Sequence, residues 1–169
     1  CHSLTGYSGG GKKMIAEYEA DKRSRLLDAP RQYGITQQHK HLKEMQAVCG
    51  LQNAPVFCPI VAPFYSGMLV TVPLFAKQLK KGGIEDIRRL YAARYGGPLV
   101  RYSENSDEAG FLSSNARQGS DAMEISVFGN EERLLLTARY DNLGKGASGA
   151  AIECMNIMLG CDPLTGLEI

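Results

Sequence analysis

The sequence lacks any excess of charge of one sign: 19 Lys and Arg residues stand against 18 Asp and Glu residues, a formal net charge of +1. Binding to nucleic acid or to an anionic membrane needs a positive surplus, so we expect neither partner. The sequence also lacks an apolar run of bilayer-spanning length and a charged-then-apolar leader. We therefore expect a cytoplasmic, one-domain protein of 169 residues.

Paired cysteines and ligand-spaced histidines are missing as well. The five cysteines contain no Cys-x-x-Cys pair, which argues against a disulfide framework and a zinc ribbon. There are only three histidines, and His2 is expected to end a strand without a further role. His39 and His41 could chelate together, but no other His or paired Cys lies at ligand spacing. We predict no metal site.

The apolar patterns that are present predict an α+β fold with a mixed or largely antiparallel sheet and helices mainly on one face. Helical spacing predicts helices over about 12–25, 42–50, 84–95 and 148–159. Strands are predicted over 1–5, 56–61, 68–75, 99–102, 123–128 and 134–140, the last two joined as a hairpin, with a long polar loop over 103–118.

Two glycine-rich segments each precede a predicted helix. Residues 6–13 match the phosphate-loop pattern except at Lys13, where that pattern needs a Ser or Thr hydroxyl for Mg²⁺. Gly144-x-Gly146-x-x-Gly149 matches the dinucleotide fingerprint, but too few residues follow for the further strand and acidic residue. Both turns are still expected to direct backbone N–H groups at an anion or a cofactor.

The last helix is apolar on almost every side. Such a helix needs cover on two sides, and only one can be the sheet of this domain. We therefore expect a second domain to cover the other side. Because the chain begins at Cys1 rather than Met, we expect a piece of a longer protein.

The segment from His39 to Glu44 is the main candidate for chemistry. An imidazole titrates near neutrality and suits acid–base catalysis, while Glu44 stands where a capping-box glutamate would sit and could orient an imidazole. Two solvated histidines at a helix start remain an equal alternative.

Taken in order, four segments resemble the N-acetyl-γ-glutamyl-phosphate reductase family in its shorter-chain type. They are GYSGGGKKMIAEYE (6–19), HKHLKEM (39–45), APFYSGMLVTVPL (62–74) and DNLGKGASGAAIECMNIMLG (141–160). The second is a variant of a histidine motif that usually carries an Arg and a Pro, where this chain has Lys40 and Lys43.

The resemblance implies a glyceraldehyde-3-phosphate dehydrogenase-like C-terminal domain, with 1–169 as the catalytic and dimerisation domain. It implies that the helix over 143–160 packs on an absent N-terminal Rossmann domain, which binds most of the NADP(H). It also implies a homo-oligomer, either a dimer or a tetramer. The family's nucleophilic cysteine lies in an Asn-Pro-Gly-Cys-Tyr context that does not occur here, so we expect the isolated chain to be inactive.

The activity implied by the resemblance is the NADPH-dependent reduction of N-acetylglutamyl 5-phosphate, a small acyl phosphate, to the 5-semialdehyde with release of phosphate, in arginine biosynthesis. The implied catalytic residues are His39 as acid/base, His41 as the close second, and Glu44 as orienting group. The implied substrate-anion residues are Ser8, Gly9, Gly10 and Lys12, and the residues that approach the nicotinamide are Asn142, Gly144 and Lys145. Tyr65 and Ser66 are weaker candidates for lining the pocket, with a core role for Tyr65 equally open.

Two other functions stay open on the sequence alone. One is a phosphate-loop nucleotide-binding or hydrolysing domain that uses Gly6 to Lys12. The other is a non-catalytic interaction domain in which the histidines and glycines are structural.

Overall fold

A seven-stranded sheet runs through the centre of the computed structural model, which describes residues 1–169. Its strands are β1 (His2–Gly6), β2 (Arg31–Gln32), β3 (Cys58–Ala62), β4 (Met68–Phe75), β5 (Val100–Tyr102), β6 (Met123–Gly129) and β7 (Arg133–Tyr140). The helices are α1 (Gly11–Tyr18), α2 (His41–Val48), α3 (Ile84–Arg94) and α4 (Gly149–Leu159). No helix is both long enough and apolar enough to cross a membrane.

The sheet is mixed, in the order β2-β3-β1-β4-β7-β6-β5. β1 pairs with β3 and β5 pairs with β6 in parallel, whereas the remaining neighbours are antiparallel. The predicted hairpin of β6 and β7 is confirmed, with Gly129 opposite Leu134 at its closed end. The α+β prediction is likewise confirmed.

Helices α1 and α3 pack on one face of the sheet, which we call the helix face, and α2 borders a cavity on the same side. Alternation along paired strands puts Val61, Met68, Val70 and Tyr140 on this face. The two buried clusters that join helices to this face are Tyr18, Leu27 and Val61 under α1, and Ile84, Val127 and Leu134 under α3.

The opposite face, which we call the open face, carries Leu4, Ile60, Leu69, Phe75 and Leu135. Over β6 and β7 the 103–118 loop covers it, since polar side chains of the two strands bond to that loop.

Several predicted boundaries are wrong. α1 ends at Tyr18 rather than near Arg25, because no large apolar residue continues its buried side, and Arg23 donates to the Tyr18 carbonyl. β3 begins at Cys58 rather than Val56. A π-helical turn over Gly144–Ser148 leads into α4. Neither the 3-10 turn at Arg25–Asp28 nor the two-residue strand β2 was predicted.

Candidate functional site

A cavity of about 920 Å³ lies on the helix face and is bordered by both glycine turns and by the histidine segment. Ser8, Gly9, Gly10 and Asn142 form one wall, and His39, His41 and Glu44 form another. Its floor is the sheet, through the side chains of Ser3, Thr5, Val61, Met68 and Val70. Residues more than 100 positions apart in the chain therefore share one space.

The first glycine turn is held against the segment between β3 and β4. The N–H groups of Gly6, Tyr7 and Ser8 donate to the carbonyls of Gly67, Phe64 and Tyr65, at 3.0, 2.9 and 3.0 Å. Three amides of this turn are thus used by the chain itself. The groups of this turn that remain for an incoming anion are the buried hydroxyl of Ser8 and the backbone at Gly9 and Gly10.

Asn142 joins the two glycine turns. Its Nδ2 donates to Ser8 Oγ at 3.0 Å, and its Oδ1 accepts the Gly67 N–H at 2.8 Å. Both ends of the amide are engaged, so the orientation of this side chain is fixed. Asn142 borders the cavity together with Leu143, Gly146 and Ala147.

Asp141 fixes the shape of the second turn from behind. The residue is 2% exposed, and its carboxylate accepts the Ser66 hydroxyl at 3.0 Å and the N–H groups of Gly119, Leu143 and Gly144 at 2.5, 2.7 and 3.3 Å. Burial by itself raises the pKa of Asp141, but these hydrogen bonds outweigh burial and the net pKa is lowered. The carboxylate stays ionised as a structural anchor.

His39 stands in an aromatic enclosure just before α2. Its ring centroid lies 4.7 Å from that of His41, 5.4 Å from that of Phe57 and 5.7 Å from that of Tyr33. Burial lowers the pKa of His39, and the neighbouring charges of His41 and Lys40 lower it further.

The tautomer of neutral His39 follows from a backbone contact. Its Nδ1 accepts the His41 N–H at 3.3 Å, so the proton of the neutral ring sits on Nε2. The doubly protonated ring would lose this bond. Neutral His39 is therefore a hydrogen-bond donor through Nε2.

Glu44 lines the same cavity from the first turn of α2. It is exposed and forms no hydrogen bond to either imidazole. The expectation that it caps the helix is wrong, because α2 has Lys40 as its N-cap residue and no side-chain cap.

Several predicted site residues lie outside the cavity lining. Lys12 is exposed on α1. Lys145 pairs with Glu153 at 2.5 Å, with only 11% and 23% of the two side chains exposed. Gly144 packs closely against Ser120 and Asp121, where an added Cβ would clash.

The two weaker candidates for lining the pocket have other contacts. The Ser66 hydroxyl donates to the Asp141 carboxylate. Tyr65 is 42% exposed and packs edge-on against Tyr7.

No group of three His, Cys, Asp or Glu side chains is placed to hold a metal ion. All five cysteines are free, and Cys1 and Cys49 border the cavity.

A family model, the semialdehyde dehydrogenase dimerisation domain, matches residues 1–142. The chain belongs to this family.

Curated relatives agree with the resemblance seen in the sequence. The chain is 42% identical over 165 residues to an N-acetyl-gamma-glutamyl-phosphate reductase of Rhizobium meliloti, covering 94% of the chain and 53% of the relative. It is 39% identical over 179 residues to N-acetyl-gamma-glutamyl-phosphate reductase 2 of a Nostoc species, covering 98% and 56%. The chain thus spans about half the length of the curated relatives it matches.

Solved structures support the fold. Aspartate semialdehyde dehydrogenase II from Vibrio cholerae superposes with a TM-score of 0.67 at 15% identity, over 94% of this chain and 54% of that one. A probable aspartate-semialdehyde dehydrogenase from Pseudomonas aeruginosa gives a TM-score of 0.66 at 17% identity, with the same coverage. At such identities the likeness concerns the fold alone.

In this semialdehyde dehydrogenase domain, sequence reasoning missed two residues of the candidate site and one residue that supports it from outside the cavity. Tyr33 and Phe57 enclose His39, and Gln37 bonds to Phe57. Phe57 lay in a predicted strand, and nothing in the pattern around Gln37 distinguished it from Gln38. Asp141 opened the glycine motif, but its anchoring role depends on partners far away in the chain.

Proposed function

We propose that this chain supplies the acid/base and substrate-binding walls of an N-acetyl-γ-glutamyl-phosphate reductase active site. The observation that carries the proposal is the single cavity shared by His39, His41 and both glycine turns. The names of the curated relatives give a reductase that acts on N-acetyl-γ-glutamyl phosphate. The reaction proposed for the intact protein is the reduction of this acyl phosphate to an aldehyde with release of phosphate.

Such a reduction needs a nucleophile that displaces phosphate from the acyl carbon, and a nicotinamide cofactor supplies the hydride. Negative charge builds up on the acyl oxygen when that carbon is attacked. We assign His39 Nε2–H as the donor to this oxygen, since a fixed donor in a half-buried site stabilises charge that develops there. His41, exposed beside it, is the second candidate for proton exchange, and Glu44 is proposed to orient an imidazole when substrate is bound.

The wall of Ser8, Gly9 and Gly10 is the proposed site for the substrate's phosphate or carboxylate. Lys12 follows on the exposed start of α1, where its ammonium adds long-range attraction for an anion. The proposed place for the nicotinamide is at Asn142 and Gly146, where the second turn borders the cavity. Gly144 and Lys145 would support this turn from outside, and NADP is the proposed form of the cofactor.

α4 is the proposed contact with a nucleotide-binding domain of the intact protein. Its exposed side carries Met155, Ile157, Met158 and Leu159, which are 52%, 58%, 86% and 69% exposed. Apolar surface of this extent is typical of an interface. The relatives are about twice as long as this chain, which leaves room for such a domain.

The open face is the proposed homo-oligomer contact, in line with the family's description as a dimerisation domain. Phe75 and Leu135 are 55% and 41% exposed there, and Leu69, farther along β4, is half-buried. A second copy that lays its sheet against this face would cover them.

The alternative of a phosphate-loop hydrolase has no support. Three amides of the first turn are already paired and Lys12 is outside the cavity. The two curated relatives described above are named as reductases.

The test joins this chain to the remaining half of the Rhizobium meliloti relative and assays it with N-acetylglutamyl phosphate. We expect NADPH to be oxidised with one phosphate released per NADPH. A folded chimera that binds NADPH but shows no such turnover would contradict the proposal, as would hydrolysis of ATP by the chain itself.

A further inference from the structure

The loop that carries His39 into the cavity contains one residue in an unusual backbone conformation. Gln37 has φ +55°, in the left-handed region that only one other non-glycine residue of the chain, Ala109, adopts. An L-residue there is strained and persists only where its surroundings hold it. Something must therefore fix Gln37 in place.

The side chain of Gln37 provides that constraint through a two-point clamp on the backbone of residue 57. Its Nε2 donates to the Phe57 carbonyl at 2.7 Å, and its Oε1 accepts the Phe57 N–H at 2.9 Å. The Gln37 N–H also donates to the Gly34 carbonyl at 3.0 Å, and Nε2 reaches the same carbonyl at 3.3 Å. The Gln37 amide thus makes the two backbone hydrogen bonds with Phe57 that a neighbouring strand would make, just before β3 begins.

The clamp acts on a residue that touches His39. Phe57 is 5% exposed, borders the cavity, and packs its ring edge-on against the imidazole. His39 follows Gln37 by two positions, so the same clamp sets both the loop that bears the imidazole and one wall of its enclosure. Gln37 itself does not line the cavity.

We propose that Gln37 is a positioning residue for His39: its bonds to Phe57 hold the imidazole at the depth and orientation the reaction requires. Gln37 would act through Phe57 and the loop backbone, without touching substrate. The part that concerns catalysis rests on the proposed function, whereas the part that concerns the ring does not.

Loss of the clamp would leave the N–H and the carbonyl of Phe57 without these partners and release the loop. The imidazole would then gain water, and the pKa of His39, now lowered by burial, would rise. The ionisable groups that face or border it are His41, Lys40, Tyr33, Glu44, Cys1 and Cys49.

The test compares Gln37→Met, which keeps the side-chain length without either bond, with Gln38→Met as the matched control. Gln38 is exposed, and its side chain forms no hydrogen bond. In the chain as it stands, the midpoint of an NMR titration of the His39 ring should move to higher pH in Gln37→Met and stay unchanged in Gln38→Met.

Gln37→Gly is the second variant, because glycine adopts positive φ without strain and so separates the clamp from the backbone conformation. It should show the same shift. In the active chimera, both Gln37 variants should lower kcat by about 10- to 100-fold with little change in KM, since misplacement of a reacting group by about 1 Å costs on that order.

A clamp that serves folding alone would lower the melting temperature of the Gln37 variants and leave the His39 titration and kcat unchanged, which would overturn the inference. If the chimera never reduces substrate, the proposed function fails while the NMR comparison still decides the role of the clamp.

Discussion

At the scale of single residues, the candidate site depends on the hydrogen bonds that two acceptor groups receive. The Nδ1 of His39 takes a backbone N–H, and the carboxylate of Asp141 takes four donors. The first contact selects the tautomer of a candidate catalytic ring, and the second sets the shape of a turn at the cavity edge. Each has a measurable consequence when the pH changes.

His39 should titrate below the pKa of about 6.5 of a free histidine, because burial and the charges of His41 and Lys40 disfavour its protonated form. Between the folded and unfolded pKa values the unfolded chain binds more protons. The contribution of neutral His39 to stability is therefore present above the unfolded pKa and is lost as the pH falls through this window. NMR of the folded and urea-unfolded chain checks this, and a folded midpoint equal to or above the unfolded one would contradict it.

Asp141→Asn should destabilise the fold by about 2–4 kcal/mol, because it puts an NH₂ group among donors and removes a buried, fully bonded charge. The folded pKa of Asp141 is lowered, so its contribution is present above the unfolded pKa of about 3.9 and is lost as the pH falls through the folded value. Urea unfolding at neutral pH measures the loss.

The control for Asp141 is Asp107→Asn, an exposed carboxylate that accepts one N–H, which should cost less than about 1 kcal/mol. Equal costs at the two positions would show that the Asp141 network is not an anchor.

The histidines, the glycine turns and Asn142 could be found from the sequence because each carries a local motif. Gln37 and Phe57 could not be found, because their roles arise from a contact 20 residues apart in the chain. The same reason explains Lys145: its motif is local, but its partner Glu153 is known only once α4 is built.

At the scale of secondary-structure elements, most helices and strands followed from apolar spacing, because each buries one side. β2 and the 3-10 turn at Arg25–Asp28 are too short to leave a periodic pattern. The parallel pairing of β1 with β3 also left no local mark, although it contributes to bringing the first glycine turn and the histidine segment to the same cavity.

The 103–118 loop is bound to the open face by Arg139, whose side chain is 8% exposed. A guanidinium nitrogen of Arg139 lies 2.8 Å from a carboxylate oxygen of Glu124, whose side chain is 11% exposed. Arg139 also forms an ion pair with Glu108 in the loop. Arg139→Met leaves the Glu124 charge buried without this partner and should cost about 3–5 kcal/mol.

The double variant Arg139→Met with Glu124→Leu removes both charges and should recover most of that loss, since an apolar pair of similar volume replaces the buried ion pair. Urea midpoints of the two single variants and the double variant make the comparison. If the loss of stability in the double variant equals the sum of the losses in the two single variants, the result would contradict an energetic coupling between Arg139 and Glu124.

At the scale of the whole molecule, two apolar surfaces remain exposed: the outer side of α4 and the uncovered part of the open face. We propose that a second copy covers the open face and that a nucleotide-binding domain covers α4. The sequence indicated that α4 needed outside cover, but it gave no sign of which strand face would be open, because that depends on where the helices pack.

Light scattering tests the assignment. The chain should behave as a particle of twice 18.4 kDa, and Leu135→Glu on the open face should reduce it to the monomer, because a buried unpaired charge is costly. The matched change Met158→Glu on α4 should leave the mass unchanged. A monomeric parent chain, or loss of the dimer in Met158→Glu alone, would contradict this use of the two surfaces.

The proposed function places the reaction of the acyl group in the cavity that holds His39. The most direct measurement is the turnover of the chimera with His39→Ala, beside His2→Ala as a histidine on the exposed part of β1. We predict that His39→Ala lowers kcat by about 10²–10⁴-fold without unfolding the protein, and that His2→Ala leaves kcat unchanged. Turnover that survives His39→Ala in a folded chimera would contradict a catalytic role for His39.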